Sequence, residues 1–364
     1  MVASISARKS IGAAVAYFKH MAQDEYYTAE EEAEAEGEWA GRGAERLALE
    51  GPVSKADFEA ALNGLDPKTG QPLAQINNKT HAPGWDMTYS APKSVSVMWA
   101  LSSPKDRAKI EAVHKNAVSA ATRHLEDSHA FTRRGKGGKV LEPVAGLTIA
   151  RFHHHTSRDL DPQLHTHAFI FNTAPRRDGT WGTIVSRDLY KAQKETGAVY
   201  RAHLANQLER EGYAVARNGT GFRLKAIPHN VERAFSKRRQ SIEQAAATHG
   251  YRTPKGMELA ALRTRQAKRP RERAALFKAW QVEAKTMGFN LSKARQQAQS
   301  RSPQQEIRSA SSSRSPRPST RKVMPSAQRL LSVIAMAARG SSRMPGVRVN
   351  LRQSSSRSGP EVER

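Results

Sequence analysis

Two apolar segments that carry histidines constrain the fold of this chain more than any other feature. Residues 146–154 alternate apolar side chains and end in histidines, and residues 164–172 form a second segment rich in Phe and Ile. The turn-prone stretch Ser-Arg-Asp-Leu-Asp-Pro, residues 157–162, separates them. Alternation with a period of two predicts β-strands, and the short connection predicts that they pair as an antiparallel hairpin.

The histidines on these strands predict a metal site. His165 and His167 lie two residues apart, so their imidazoles project from the same face of the sheet. A third ligand is available from the run His153, His154 and His155 on the other strand, and alternation alone does not choose among the three because the register is unknown. Three neutral imidazoles suit a divalent ion that polarises a phosphate oxygen, whereas an isolated His-x-His is ordinary on a strand.

The charge of the chain points to nucleic acid as a partner. The formal net charge is +25, and the sequence pI is about 10.6. Residues 301–364 supply a surplus of ten positive charges, so residues 1–300 are basic on their own account. An excess of this size is costly for a compact fold unless an anionic partner uses it, and nucleic acid is the commonest such partner.

Composition also excludes several classes of protein. The chain has no cysteine, which rules out disulfides, thiolate zinc sites and cysteine nucleophiles. No apolar run is long enough to span a bilayer, and the N-terminus has no signal-peptide pattern. These features predict a soluble cytoplasmic protein without membrane insertion.

The remaining patterns predict a mixture of helices and strands, hence an α+β fold. Ser10 is placed to cap a first helix, a helix follows Ser90-Ala91-Pro92, and a long amphipathic helix covers about 188–211. Residues 230–293 are helical in pattern and strongly basic. Residues 294–364 are rich in Ser and Arg and lose this periodicity, so disorder is expected there.

Tyrosines near the N-terminus are candidate nucleophiles. Tyr17 lies on the predicted first helix, off the apolar stripe of that helix, and Tyr26 and Tyr27 follow in a polar segment. A tyrosine that attacks phosphorus conserves the phosphodiester energy as a phosphotyrosine, which permits later religation. On pattern alone, a surface tyrosine is more often structural than catalytic.

Several motifs together resemble one known family. Residues 84–96, GWDMTYSAPKSVS, are similar to the DxTFSAPKSVS signature of the TrwC/TraI (MobF) conjugative relaxases. HHTSR at 154–158 and DPQLHTH at 161–167 resemble the three-histidine motif of that family, and Tyr17-Phe18 and Asp24-Glu25-Tyr26-Tyr27 resemble its two tyrosine pairs. The resemblance covers residues 1 to about 290.

The resemblance implies a fold and a domain organisation. It predicts an HUH-type relaxase fold, in which an antiparallel β-sheet flanked by helices (the palm, residues 1–229) carries the histidines. A helical, basic fingers segment (residues 230–293) is expected to close over single-stranded DNA. A Ser/Arg-rich tail (residues 294–364) follows the region of resemblance. It is interpreted as the product of a truncation or reading-frame change without an evolved function, and the alternative is a basic DNA-tethering arm.

The resemblance also implies roles for individual residues. Tyr17 would be the first nucleophile, Tyr26 would perform a second strand transfer, and Asp86 would accept the tyrosine proton or orient a histidine. The expected metal ligands are His154, His165 and His167, and the expected phosphate contacts are Lys79, Lys93 and Arg158. Phe18 stands where the family has a second tyrosine, so any backup role of that tyrosine is lost while Tyr17 is retained. The spacing to the second pair is one residue longer than in the family, so the choice between Tyr26 and Tyr27 stays open.

The implied function is site- and strand-specific DNA nicking in conjugation. The expected cofactor is a divalent ion, Mg²⁺, Mn²⁺ or Zn²⁺, and the chain contains no Gly-x-x-x-x-Gly-Lys-Ser/Thr motif, so ATP is not expected. Expected partners are single-stranded and hairpin DNA at an origin of transfer, accessory relaxosome proteins and a type IV secretion coupling protein, all in the bacterial cytoplasm.

Three alternatives compete with this interpretation. A rolling-circle replication initiator or single-strand transposase shares the histidine pair and tyrosine chemistry, but there the tyrosine generally follows the histidines. A non-catalytic DNA-binding protein derived from a relaxase would not need Tyr17, Asp86 and three histidines intact. A small-molecule metallohydrolase leaves the basic surplus unexplained.

Overall fold

In the part of the chain that the structure describes, β-strands occur between Ala3 and Leu224. The computed structural model describes residues 3–8, 10–22, 37–74, 82–265 and 272–300, without the side chains of Tyr17 and residues 19–22. The strands in this part are β1 (Ala3–Arg8), β2 (Glu38–Ala40), β3 (Gly84–Ser90), β4 (Phe131–Arg134), β5 (Val140–Pro143), β6 (Ile149–Thr156), β7 (Pro162–Phe171), β8 (Ala174–Pro175), β9 (Trp181–Gly182), β10 (Val215–Asn218) and β11 (Gly221–Leu224).

Helices surround these strands. Within the described ranges they are α1 (Ile11–Ala22), α2 (Arg42–Arg46), α3 (Lys55–Leu62), α4 (Lys93–Leu101), α5 (Pro104–His129), α6 (Ser186–Arg210), α7 (His229–Ala234), α8 (Lys237–Thr248), α9 (Pro254–Arg263), α10 (Arg273–Thr286) and α11 (Leu291–Ser300). The predicted cap is confirmed, because the Ala13 amide donates to Ser10 Oγ at 3.2 Å. None of the described helices combines the length and apolarity needed to cross a bilayer.

One antiparallel sheet organises the palm. In the described part of the chain it has five strands in the order β1-β3-β7-β6-β2. The predicted hairpin is confirmed as β6–β7, in which His154 pairs with His165. Its turn closes tightly, since the Ser157 amide donates to the Asp161 carbonyl at 2.8 Å and Leu160 adopts a positive φ of 60°. The α+β fold predicted from the sequence is therefore present.

The two faces of the sheet are covered differently. Alternate residues of β7, including Leu164, Ala168 and Ile170, pack into the core formed with α4, α5 and α6, and we call this the helical face. Phe169 and Phe171 point the other way, into an aromatic core shared with α1 and α3. We call this second side the histidine face, because His165 and His167 continue the same alternation along β7.

Helices α7 and α10, which belong to the predicted fingers segment, pack directly on α4. Val231, Phe235 and Trp280 are buried in the same core as α4 and α5. The Trp280 ring lies 5.9 Å from that of Trp99, and its Nε1 donates to the Leu160 carbonyl at 2.9 Å. This part of the basic segment is therefore anchored to the turn of the β6–β7 hairpin.

The boundary predicted at residue 294 falls inside a helix. Helix α11 continues to Ser300, because Ala294 and Ala298 pack against the main core. Arg295 also forms an ion pair with Asp106 of α5 at 2.9 Å. The polar composition of residues 294–300 does not indicate these contacts. The rest of the predicted tail, residues 301–364, lies outside the described residues.

Phe58 is expected to be a main determinant of the stability of the histidine face. Its ring is fully buried and contacts the rings of Phe18, Phe152, Phe169 and Phe171 at centroid distances of 4.5–6.2 Å. Phe58→Ala removes these contacts and leaves a cavity, so the free energy of unfolding should fall by about 3–5 kcal/mol in urea denaturation.

Tyr190→Ala is the matched control, because that aromatic side chain on α6 is 42% exposed. Its effect should stay within about 1 kcal/mol. An equal loss of stability in the two variants would contradict the assignment of Phe58 to a tightly packed core.

Candidate metal centre

Three imidazoles meet on the histidine face, beyond the edge of the aromatic core. His154 comes from β6, and His165 and His167 come from β7. One ligand nitrogen of each lies within 4.8 Å of the other two, and the ring centroids are 5.1–5.2 Å apart. The structure thus brings together the three histidines named from the sequence.

Strand geometry explains why His154 joins this group and its neighbours do not. The side chains of His153 and His155 project from the opposite face of β6. The His155 ring stacks on Trp99 at a centroid distance of 5.0 Å, and His153 Nε2 lies 3.0 Å from Glu38 Oε1. The register of β6 and β7 therefore selects His154 from the three adjacent histidines, a choice that alternation in the sequence left open.

Asp86 orients one of the three imidazoles. His167 Nδ1 lies 2.9 Å and 3.1 Å from the two carboxylate oxygens of Asp86 on β3. A carboxylate at this position favours a proton on Nδ1, which leaves the Nε2 lone pair available for a metal. His165 is held similarly, because its Nδ1 lies 3.0 Å from the Gln163 carbonyl.

Two further residues hold Asp86 in place, and sequence reasoning missed both. Thr88 Oγ1 donates to Asp86 Oδ2 at 3.2 Å, and the Arg8 guanidinium lies 3.3 Å from the same oxygen. Asp86 is almost completely buried, so its charge needs such partners. Thr88 could have been found by alternation, since it lies two residues after Asp86, whereas Arg8 is visible only once β1 pairs with β3.

This donor set fits a divalent ion. Three neutral nitrogen ligands leave coordination positions open to water or substrate, as catalytic metal sites require. Imidazole suits Zn²⁺ and Cu²⁺ particularly well among the divalent ions. The buried carboxylate behind His167 adds the outer hydrogen bond that metal-binding histidines usually have.

Helix α1, whose sequence includes Tyr17, packs on the histidine face of the sheet through Ala14 and Phe18. Phe18, the residue after Tyr17, packs its ring against Phe152 at a centroid distance of 5.8 Å. Phe152 lies directly opposite His167 in the β6–β7 register. The backbone of α1 therefore lies close to the histidine cluster. The side chain of Tyr17 and all of Tyr26 lie outside the described residues.

Comparison with known proteins agrees with this architecture. The model of the TrwC relaxase family matches residues 11–287. The chain belongs to the TrwC relaxase family. The recognition made from the Ser-Ala-Pro-Lys-Ser and histidine motifs is confirmed.

Individual relatives support the assignment. The chain is 36% identical over 303 residues to the multifunctional conjugation protein TraI of Escherichia coli (strain K12), covering 79% of this chain and 16% of TraI. A copper-bound structure of the conjugative relaxase TrwC with OriT DNA is 33% identical, with a TM-score of 0.70 over 79% of this chain and 99% of that one. TrwC with a 27-mer DNA comprising the recognition hairpin and the cleavage site is 31% identical, with a TM-score of 0.68 and the same coverage.

In this relaxase, the side chain of Lys93 forms a hydrogen bond within the protein. Its ammonium donates to the Pro162 carbonyl at 2.8 Å and lies in the field of the buried Asp161. Burial lowers the pKa of Lys93 to about 8, although the Asp161 charge acts in the opposite direction. Lys93, the first residue of α4, thus connects that helix to the start of β7 by a hydrogen bond. Arg158 lies in that turn, and Lys79 is outside the described residues.

A hydrogen-bond network around His114, which the sequence analysis did not predict, lies on the opposite side of β7 from the histidine cluster. His114 of α5 is buried on the helical face, where Nε2 lies 2.8 Å from Thr166 Oγ1 and Nδ1 lies 2.8 Å from the Tyr200 hydroxyl. Thr166 stands between His165 and His167 on β7. This network therefore supports the strand that carries two of the three clustered histidines.

His114 should make the stability of the protein depend on pH. Burial lowers its pKa well below the ordinary 6.5, so below about pH 6.5 the unfolded chain takes up a proton that the folded chain excludes. The free energy of unfolding should fall as the pH decreases from about 7 to 5. In His114→Gln the slope should be shallower, by up to about 1.4 kcal/mol per pH unit. Urea denaturation of both proteins between pH 5 and pH 7 measures these slopes. Equal dependence of the unfolding free energy on pH in the wild type and in His114→Gln would contradict the assignment of a lowered pKa to His114.

Proposed function

We propose that this chain nicks single-stranded DNA at a specific site in a plasmid origin of transfer and transfers the cut strand through a 5′-phosphotyrosine intermediate. The observation that supports the proposal is the cluster of three histidines in a member of the TrwC relaxase family. One of them, His167, is hydrogen-bonded to the buried Asp86, and the helix that includes Tyr17 packs on the same face of the sheet. The chain spans only 16% of the TraI protein that it matches, so the proposal concerns nicking and strand transfer alone.

In this proposal Tyr17 supplies the nucleophile. Its phenolic oxygen attacks the phosphorus of the scissile phosphodiester, and the bond from phosphorus to the 3′ oxygen breaks. The phenol releases its proton to water as the new P–O bond forms, and the leaving 3′ oxygen takes a proton from water. The 5′ phosphate remains bonded to Tyr17. Reversal of the same steps joins a strand, and Tyr26 is proposed to perform the second transfer.

His154, His165 and His167 would hold the metal. When bound, a divalent ion polarises a phosphate oxygen and stabilises the negative charge of the transition state. We propose Mg²⁺, Mn²⁺ or Zn²⁺, since phosphate chemistry often uses the first two and imidazole ligands suit the third. The role proposed for Asp86 is to orient His167, because its carboxylate is already engaged with that imidazole, Thr88 and Arg8.

Asp86→Asn tests the orienting role. The substitution removes the charge that favours a proton on His167 Nδ1, so metal affinity should fall by about 10–100-fold in calorimetric titration. Glu59→Gln is the control, because it removes a carboxylate from the exposed surface of α3 and should leave the affinity unchanged. Unaltered affinity in Asp86→Asn would show that His167 does not depend on this carboxylate.

The fingers segment is proposed to hold the DNA strand through phosphate contacts. Lys79 and Arg158 remain proposed contacts, whereas Lys93 is proposed to act indirectly by fixing the β6–β7 turn. Such contacts make the affinity for DNA fall steeply with salt. Hairpin DNA, accessory relaxosome proteins, the secretion coupling protein and the bacterial cytoplasm remain predictions from family membership.

The proposal is tested by incubating the full chain with single-stranded oligonucleotides tiled across the transfer origin of the replicon that encodes it. One oligonucleotide should give a shortened product and a covalent protein–DNA adduct that resists denaturation, and both should disappear when a chelator removes the metal. Tight binding without any cleavage would favour the alternative of a non-catalytic DNA-binding protein.

A further inference from the structure

A second group of potential metal ligands lies on the helical face, on the other side of the sheet from the histidine cluster. His124 and His129 come from the end of α5, and Glu195 comes from α6. One ligand atom of each lies within 4.8 Å of the other two. Within the described residues, this group and the cluster around His165 are the two that bring potential metal ligands so close together.

The carboxylate of Glu195 lies between the two imidazoles. His124 Nε2 is 2.8 Å from Glu195 Oε1, and His129 Nε2 is 3.3 Å from Oε2. Both Nε2 atoms therefore face the same carboxylate, and the two rings are 5.5 Å apart. His129 Nε2 is buried and makes no hydrogen bond of acceptable geometry within the described part of the chain.

Helix geometry favours a cation at this position. His129 is the last residue of α5, a helix of 26 residues, and the C-terminal end of a helix dipole is negative. The two nitrogens and the carboxylate are held on two helices that pack along each other, so the donors are positioned before any ion arrives. The side chains are 23–36% exposed, which leaves the group open to solvent.

We propose that His124, His129 and Glu195 form a second metal site, which binds Zn²⁺. Two imidazole nitrogens and one carboxylate oxygen are a donor set that zinc uses, with water in the fourth position. Mg²⁺ and Ca²⁺ prefer oxygen ligands and should not compete at this site. The ion would fasten the end of α5 to α6 and stabilise the helical face, independently of any DNA cleavage.

The test uses the full chain without a histidine tag, stripped of metal and carrying His165→Ala and His167→Ala to remove the first site. Titration with ZnCl₂ should give one bound equivalent, and Zn²⁺ should raise the melting temperature because it binds the folded state. Adding His124→Gln and His129→Gln should weaken binding by more than the roughly 10–100-fold that loss of an outer hydrogen-bond partner costs. His203→Gln, which replaces an exposed histidine of α6, should change neither quantity.

If the variant carrying His124→Gln and His129→Gln fails to fold, Glu195→Gln replaces it in the test. Glu195→Gln should also weaken Zn²⁺ binding. The proposal is overturned if the His165→Ala/His167→Ala protein binds no stoichiometric Zn²⁺. Retention of that binding after both His124 and His129 are replaced would overturn it equally. Either result would mean that Glu195 interacts only with the two imidazoles and that the three side chains bind no metal.

Discussion

The double variant His165→Ala/His167→Ala is expected to lose DNA nicking almost completely. It leaves His154 as the single remaining ligand of the cluster, so a divalent ion no longer has a chelating site. If the metal contributes about 4 kcal/mol to transition-state stabilisation, the cleavage rate should fall by about a thousandfold. Single-turnover cleavage of the identified oligonucleotide, quantified on denaturing gels, measures this loss.

His203→Gln is the matched control, since it removes an imidazole from α6 on the opposite side of the sheet and should cleave at the wild-type rate. The variant proteins should bind uncleaved DNA, because the core of the sheet is formed by the apolar residues of β7 and its neighbours and not by these two partly buried imidazoles. A double alanine variant that nicks at the wild-type rate would show that the cluster has no role in the chemistry.

Tyr17→Phe should abolish the covalent adduct while leaving metal binding intact. The substitution deletes only the phenolic oxygen, so the helix, the aromatic core around Phe18 and the three imidazoles remain. Denaturing electrophoresis with end-labelled oligonucleotide should show the adduct with the wild-type chain and none with the variant.

Tyr190→Phe, on the exposed surface of α6, provides the control and should form the adduct normally. Tyr26→Phe should also retain the first cleavage, since its proposed role is the second transfer. Undiminished adduct with Tyr17→Phe would transfer the role of first nucleophile to another tyrosine.

The sequence predicted the scaffold of the site well, because its signals are local. Alternation at 146–154 and 164–172 indicated the two strands, and the short turn between them indicated their pairing. His165 and His167 were placed on one face by the same periodicity, which the pleat of a strand enforces. The pairing of His154 with His165, by contrast, is a property of register and became visible only in the structure.

Long-range partners were beyond the reach of sequence patterns. Arg8 reaches Asp86 across 78 positions of the chain because β1 pairs with β3, and nothing local to Arg8 indicates that contact. Lys93 is predicted from its motif to contact phosphate, and no local pattern indicates the hydrogen bond that its ammonium donates to the Pro162 carbonyl, 69 positions away. The predicted helical segment stops at residue 293, inside α11, because the contacts that hold α11 are also distant in sequence. Arg295 forms an ion pair with Asp106, which lies far away in the chain.

The central claim is that Tyr17, next to the histidine cluster, becomes covalently bonded to DNA, and peptide mapping of the adduct tests it most directly. After nuclease trimming, trypsin should release the segment Ser10–Lys19, whose single tyrosine is Tyr17, separately from residues 20–42, which contain Tyr26 and Tyr27. We expect mass spectrometry to find the nucleotide phosphate on Ser10–Lys19. Its presence on residues 20–42 instead, or the absence of any modified peptide, would contradict the account.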